Sequence, residues 1–254
     1  MSLPRTPSFR LDGRRALVTG GSRGIGFACA VALGQAGAAV TILARSAGEV
    51  DASSAAMVAG GLTAHGVALD VTDTPAVEAF LEAAPSFDIL VNSAGMARHA
   101  PFLDVTAADY RAVMEINLAA TLFVSQAVAR RLVTEGRPGS IINISSQMGH
   151  VGGPKRTVYA ASKHAVEGLG KAMALELGPH NIRVNTIAPT FIETELTVRG
   201  LSDPEFLAWV LGKIALGRLG RVEDVMGPVV FLASDAAALV TGTSLLVDGG
   251  WTAA

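Results

Sequence analysis

Sulfur for cross-linking is all but absent: Cys29 is the one cysteine in 254 residues, which excludes an intrachain disulfide and any cysteine-built metal site. None of the five histidines stands at metal-ligand spacing, so no metal centre is expected. Charge is scarce as well. Asp, Glu, Lys and Arg make up 17% of the chain and the net charge is −2, which removes any sequence-wide pull toward nucleic acid or an acidic membrane. No run of 18 apolar residues occurs, and Met1 to Pro7 has no apolar leader segment; the expectation is a soluble cytoplasmic protein.

What is present is apolar. Half of the residues are hydrophobic, and a chain of this length can bury roughly 70 to 75% of its unfolded surface. Residues 1–10 read as a loose lead-in, and no linker interrupts the rest, so 1–254 is expected to form a single domain. Short β-branched runs (Ala16 to Val18, Ala39 to Ala44, Val67 to Leu69, Ile89 to Val91, Ile141 to Ile144, Arg183 to Ala188, Ser244 to Val247) alternate with helical stretches. Connections of this length imply right-handed βαβ crossovers, hence an α/β fold with a parallel sheet buried on both faces. Helices are expected from Ile25 to Leu33, over 52–59, from Thr74, for about 25 residues after the Thr106 cap through Val113, Ile116, Phe123 and Val128, over Val158 to Leu177 and Pro204 to Lys213, and from Val222 to Leu232.

Between the first strand and helix lies Thr19-Gly20-Gly21-Ser22-Arg23-Gly24-Ile25-Gly26. A glycine turn feeding a helix N-terminus lets backbone N–H groups approach a pyrophosphate closely. Far along the chain, Tyr159 and Lys163 stand four apart in a helix and so share one face. A phenol of ordinary pKa about 10 must gain roughly 4 kcal/mol of preference for phenolate to accept protons near pH 7; a nearby ammonium contributes to that. Ser146 follows the fifth strand, on the carboxyl edge where ligands collect in such sheets. Ser145 competes for its role, one residue further from Tyr159.

Taken in order, Gly20-x-x-x-Gly24-x-Gly26, Asn92-Ser93-Ala94-Gly95, Asn117, Ser146 and Tyr159-x-x-x-Lys163 resemble the short-chain dehydrogenase/reductase family, over about Phe9 to Trp251. The resemblance implies a doubly wound, seven-stranded parallel sheet of the Rossmann type. It makes Tyr159 the general acid/base and Ser146 the residue that orients the substrate oxygen. Lys163 would hold the nicotinamide ribose and depress the Tyr159 pKa, and Asn117 would help hold a proton-relaying water. Gly20, Ser22, Arg23, Gly24, Ile25, Gly26, Arg45, Asn92, Ala94, Gly95, Tyr159, Lys163, Pro189, Ile192 and Thr194 would contact the cofactor, with Asp70 and Val71 flanking its adenine. Ser93 stands where the family commonly has a second Asn, and Pro189-Thr190 where it has Pro-Gly. A positive φ at Thr190 would therefore be strained. Asp73 to Asp88 is short for a crossover helix.

After the second strand comes Ala44-Arg45-Ser46, with no carboxylate to hydrogen-bond an NAD ribose. Arg45 and Arg23 can instead pair with a 2′-phosphate, so NADP is expected over NAD. The expected activity is hydride transfer between NADP(H) and a secondary alcohol or ketone. A 3-oxoacyl thioester reductase and a catalytically silent cofactor-binding regulator are the alternatives. The tail around Phe206-Leu207-Ala208-Trp209 resembles family members acting on sugar acids. Arg98-His99, His150 and Lys155-Arg156 form a basic rim suited to a carboxylate, with Phe191 and Trp209 closing the pocket. An apolar edge strand near Val240 to Trp251 needs cover, so a homotetramer is expected.

Overall fold

The computed structural model describes residues 3–194, 197 and 201–253. Met1 and Ser2 of the expected lead-in lie outside the described residues. The chain alternates β1 (Arg15–Thr19), α1 (Gly24–Gln35), β2 (Ala39–Ala44), α2 (Ala47–Ala59), β3 (Ala64–Ala68), α3 (Thr74–Ala83), β4 (Ile89–Asn92), α4 (Ala107–Met114), α5 (Ala120–Glu135), β5 (Gly139–Ile144), α6 (Thr157–Leu177), β6 (Ile182–Pro189), α7 (Pro204–Lys213), α8 (Glu223–Ala233) and β7 (Ser244–Val247). All strands run parallel in one seven-stranded sheet, order β3-β2-β1-β4-β5-β6-β7.

Side-chain alternation sorts the two faces. Ala16 and Val18 of β1 and Ile142 of β5 pack with Cys29 and Leu33 of α1 and with Val225 and Val229 of α8. Leu17 and Ile141 point the other way, onto Val77 of α3, Val124 and Val128 of α5 and Ala174 of α6. The strand order reverses between β1 and β4, so the turns that follow them open the crevice where such sheets bind ligands.

Several boundaries differ from expectation for local reasons. Helix α2 begins five residues early because Ser46 caps it, its Oγ accepting from Glu49 N at 3.4 Å. Strand β3 pairs from Ala64 and ends at Ala68. The short α3 is sufficient, with Asp73 capping Ala76 N and Pro75 in its first turn. The predicted 25-residue helix is broken by a π-helical turn at Glu115–Ala119. That turn shifts the buried phase to Val113, Asn117, Ala120 and Val124 and leaves Phe123 exposed. The whole stretch Ala107–Glu135 is long and apolar enough to cross a bilayer, yet half of its apolar window is buried inside the protein. Thr190 escapes the feared strain: among the described residues, only Lys155 and Asn181 have positive φ outside glycine.

Candidate active site

Glycine is required where the first turn meets its neighbours. A Cβ on Gly20 would lie 2.8 Å from the Ala94 backbone, and one on Gly26 would lie 2.2 Å from Gly20 O. The turn after β1, the turn after β4 and the first turn of α1 are thus packed backbone to backbone. Among the described residues Gly24, at φ +55, faces only Thr194, whose Cγ2 is 3.6 Å from the position of a Cβ. Helix α1 has no side-chain cap and no acid in its first turn, which leaves its N–H groups available to an anion. This cradle fits a dinucleotide pyrophosphate.

At the end of β2, Arg45 is exposed and makes no hydrogen bond or ion pair among the described residues. Arg23, by contrast, pairs with Glu49 at 3.6 Å, and Ser22 Oγ donates to the same carboxylate at 3.1 Å. The sequence reading missed Glu49, although Ser46-x-x-Glu49 is a capping-box signal directly after β2. Asp70 Oδ1 accepts from Thr72 N at 2.9 Å and Thr72 Oγ1 at 2.8 Å, and Val71 is buried beside it.

Asn92, expected against the cofactor, turns inward: its amide donates to Ser125 Oγ at 2.8 Å and Asn143 Oδ1 at 2.9 Å. Ile192 is likewise core, bridged to Gly220, on which a Cβ would meet the Ile192 Cδ1 at 2.3 Å. Pro189 ends β6 opposite Val247. Thr194 N donates to Thr197 Oγ1 at 2.8 Å, closing the loop in front of Gly24.

The remaining four residues converge beyond the ends of β4 and β5. Asn117, on the π turn, accepts from Met96 N at 2.8 Å and donates to Met96 O and Ser162 Oγ, both at 3.0 Å. Its amide is therefore a clamp between the β4 loop and α6. Gly95 sits above it; a Cβ there would lie 3.1 Å from Asn117 Oδ1 and 3.9 Å from Lys163 Nζ. Lys163 is buried and donates to Ile144 O at 2.8 Å. Burial pulls its pKa down to about 8, against a raising influence from Glu167. Ser146 Oγ donates to Gln147 Oε1 at 2.7 Å and accepts from Met148 N at 3.1 Å. The Ser145 hydroxyl is buried without a partner.

The Tyr159 ring lies 5.7 Å from Lys163 Nζ. Burial pushes its phenol above the ordinary value, while a hydrogen bond with Ser146 and the charge of Arg156 pull it back. This direction is opposite to the depression expected from Lys163, because desolvation of the phenolate outweighs the nearby charges. Arg156 acts on the phenol, a role that its place in the basic rim does not disclose. That rim is not uniform. Arg98 pairs with Asp109 at 3.8 Å, and His150 faces Ser244 and Glu167.

Above Tyr159 stands an aromatic wall. Phe191 packs on Phe206 and Trp251, and Trp209 on Phe206 and Trp251, with centroids 5.5 to 5.9 Å apart. Trp251 packs on its own chain, in a turn where Asp248 accepts from Gly250 N and Thr252 N, each at 2.9 Å. Together these parts give a dinucleotide cradle, a buried ammonium and a hydroxyl–phenol pair under an aromatic roof.

The chain is similar to known proteins along nearly its whole length. The profile of a family described as enoyl-(acyl carrier protein) reductase matches residues 20–252. The chain is 44% identical to D-erythrulose reductase of Gallus gallus, over 96% of this chain and 98% of that one. It is 41% identical to gluconate 5-dehydrogenase of Gluconobacter oxydans, over 96% of each. Among solved structures it is similar to a gluconate 5-dehydrogenase from Burkholderia cenocepacia in complex with NADP and tartrate, with TM-score 0.93, 39% identity and coverage of 97% and 98% of the two chains. The fold, the ordered motifs and these likenesses agree, and the chain belongs to the short-chain dehydrogenase/reductase family.

Proposed function

We propose that this protein is an NADP(H)-dependent oxidoreductase that interconverts a ketone and a secondary alcohol on a small polyol or sugar derivative. The observation that carries the reading is the convergence of Tyr159, Ser146 and Lys163 at the carboxyl edge of the sheet, beside a cradle with an unpaired Arg45. Named relatives include D-erythrulose reductase, gluconate 5-dehydrogenase and L-xylulose reductase.

Gly20, Gly24 and Gly26 hold the pyrophosphate against the α1 N-terminus, with Ser22, Ile25, Ala94 and Gly95 lining the turn. Arg45 and Arg23 receive the 2′-phosphate. Asp70 and Val71 border the adenine, and Pro189, Ile192 and Thr194 border the nicotinamide through the β6 loop. Bound there, NADPH supplies a hydride to the substrate carbon. Tyr159 gives its phenolic proton to the substrate oxygen, and Ser146 donates a hydrogen bond to that oxygen as negative charge develops. Lys163 holds ribose hydroxyls and keeps a positive charge near the phenol. Asn117 fixes Met96 and Ser162, and through them the floor under Gly95.

Residues 1–254 act as one catalytic domain, located in the cytoplasm. The assembly is a homotetramer: β7 is an edge strand whose Leu246 is exposed, and Leu175 and Leu239 are exposed as well. Light scattering should give four times the 26.0 kDa chain mass, and a monomer would refute this. The activity is tested with D-erythrulose, L-xylulose and 5-keto-D-gluconate, each with NADPH and NADH. NADPH consumption with at least one carbonyl, and at least tenfold slower NADH consumption, is expected. Tight NADPH binding with no carbonyl reduced would leave the cofactor-binding regulator as the better reading.

A further inference from the structure

Among the described residues Arg45 and Arg156 are the loop arginines near the site that face no carboxylate, and of the two Arg156 is the one beside Tyr159. Arg98, Arg23 and Arg218 each face a carboxylate, at 3.8, 3.6 and 2.7 Å. Among the described residues Arg156 faces none. Its guanidinium carbon lies 5.2 Å from the centre of the Phe191 ring and 5.7 Å from that of Phe206. One guanidinium nitrogen donates to His99 Nε2 at 2.8 Å. The His99 ring in turn meets Tyr159 edge-on, 6.4 Å between centroids.

These partners are aromatic or neutral. An arginine N–H can only donate, so the His99 nitrogen accepts, and burial and Arg156 itself both pull the His99 pKa down. The positive charge is thus half-buried, held by two rings, and, among the described residues, left with most of its five N–H donors uncommitted. A stacked guanidinium presents those donors along its edge, in the fork that matches a carboxylate. A Cβ on Gly153 would meet Met148 Cε at 2.9 Å and then Arg156 Cδ at 3.3 Å, so glycine there lets the loop pack on Met148 beside the Arg156 stem. As the N-cap residue of α6, three positions before Tyr159, Arg156 is placed at a short, fixed reach from the proton donor.

We infer that Arg156 is the anchor for a carboxylate on the substrate, and that this enzyme selects hydroxy and keto acids over uncharged ketoses. The inference rests on the proposed reading of Tyr159 as the proton donor. It commits the anion to one residue, Arg156, and assigns no part to Arg98, whose charge is met by Asp109.

The test compares 5-keto-D-gluconate with L-xylulose in the wild type, Arg156→Gln, Arg156→Lys and Arg98→Ala, recording kcat, KM and the pH profile. The wild type should prefer the keto acid. Arg156→Gln should lower the acid-to-ketose ratio of kcat/KM at least tenfold, chiefly through KM for the acid, with Arg156→Lys in between and Arg98→Ala at the wild-type ratio. Calorimetry of gluconate on NADPH-saturated enzyme, where no turnover can occur, should show the same loss of affinity. If Arg156→Gln does not fold, the Arg156→Lys ratio and the wild-type calorimetry decide. An equal fall for both substrates with a shifted pH profile would overturn the inference, because Arg156 would then act on Tyr159 alone. An Arg156-dependent preference for D-xylulose 5-phosphate over the acid would overturn the carboxylate assignment. Ketose reduction without any preference for the acid sinks this inference only, whereas failure to reduce any carbonyl sinks the proposed function.

Discussion

On the β1–β4 side of the crevice the backbone sets the geometry, whereas on the β5–β6 side separate side chains do. The first side is a contact of three turns so close that Gly20 and Gly26 cannot carry a Cβ. The second gathers His99, Arg156, Phe191, Phe206, Trp209 and Trp251 from distant parts of the chain. Backbone contact admits one answer at each position, which suits a ligand common to a whole family. A roof of exchangeable side chains admits many, which suits a variable substrate. The chain has only two tryptophans, and both stand in this roof.

The contrast can be broken first at its rigid side. Gly26→Val should abolish measurable NADPH binding and cost about 1 to 3 kcal/mol of stability or more, since nothing but backbone is available to yield; NADPH titration and thermal melting check both. Retained binding would mean that the turn is looser than its contacts require. Arg45→Asp should shift the NADPH-to-NADH ratio of kcat/KM at least tenfold toward NADH, as a charge-assisted pair becomes a repulsion. An unchanged ratio would reduce Arg45 to a solvated charge.

A smaller effect follows from Lys163, whose pKa is about 8. Below pH 8 the free protein carries the ammonium that favours an anionic cofactor; above it the proton must be taken up on binding. NADPH affinity should therefore fall between pH 8 and 9.5, by at most about tenfold per unit, with the 2′-phosphate already doubly ionised there. Lys163→Met should flatten the slope, and a slope that persists would assign it elsewhere. The smallest effect is expected from Glu49→Gln. Freeing Arg23 and Ser22 from this exposed carboxylate should tighten NADPH about twofold to fivefold, in keeping with the modest worth of surface ion pairs. Weaker NADPH binding in this variant would show that Glu49 organises the site.

The two sides also differ in how far they could be read from the sequence. Strands β2 and β7, the glycine turn and the Tyr159–Lys163 pair are local patterns, and each appears where its spacing puts it. Helix α2 was legible too, through Ser46-x-x-Glu49, but its small apolar face hid the start. The π turn was not legible, because one extra residue in a helical turn leaves the apolar spacing plausible either way; only the burial of Asn117 against Met96 and Ser162 reveals it. Nor could spacing tell Arg98 from Arg156. Their difference lies in Asp109 and in two phenylalanines from later in the chain. The raised Tyr159 pKa was missed for a similar reason, since a Tyr-x-x-x-Lys pattern says nothing about how deeply the phenol is desolvated.

Tyr159 moves the proton, and the cofactor is held chiefly by other residues. The most direct test is Tyr159→Phe, with ketone-dependent NADPH oxidation and NADPH affinity measured on the same preparation. Loss of a general acid should lower kcat by about 10² to 10⁴, with NADPH affinity within about threefold of wild type, because only the ionisable oxygen is lost and Lys163 still holds the ribose. More than a tenth of wild-type kcat in this variant, with the cofactor still bound, would contradict the account.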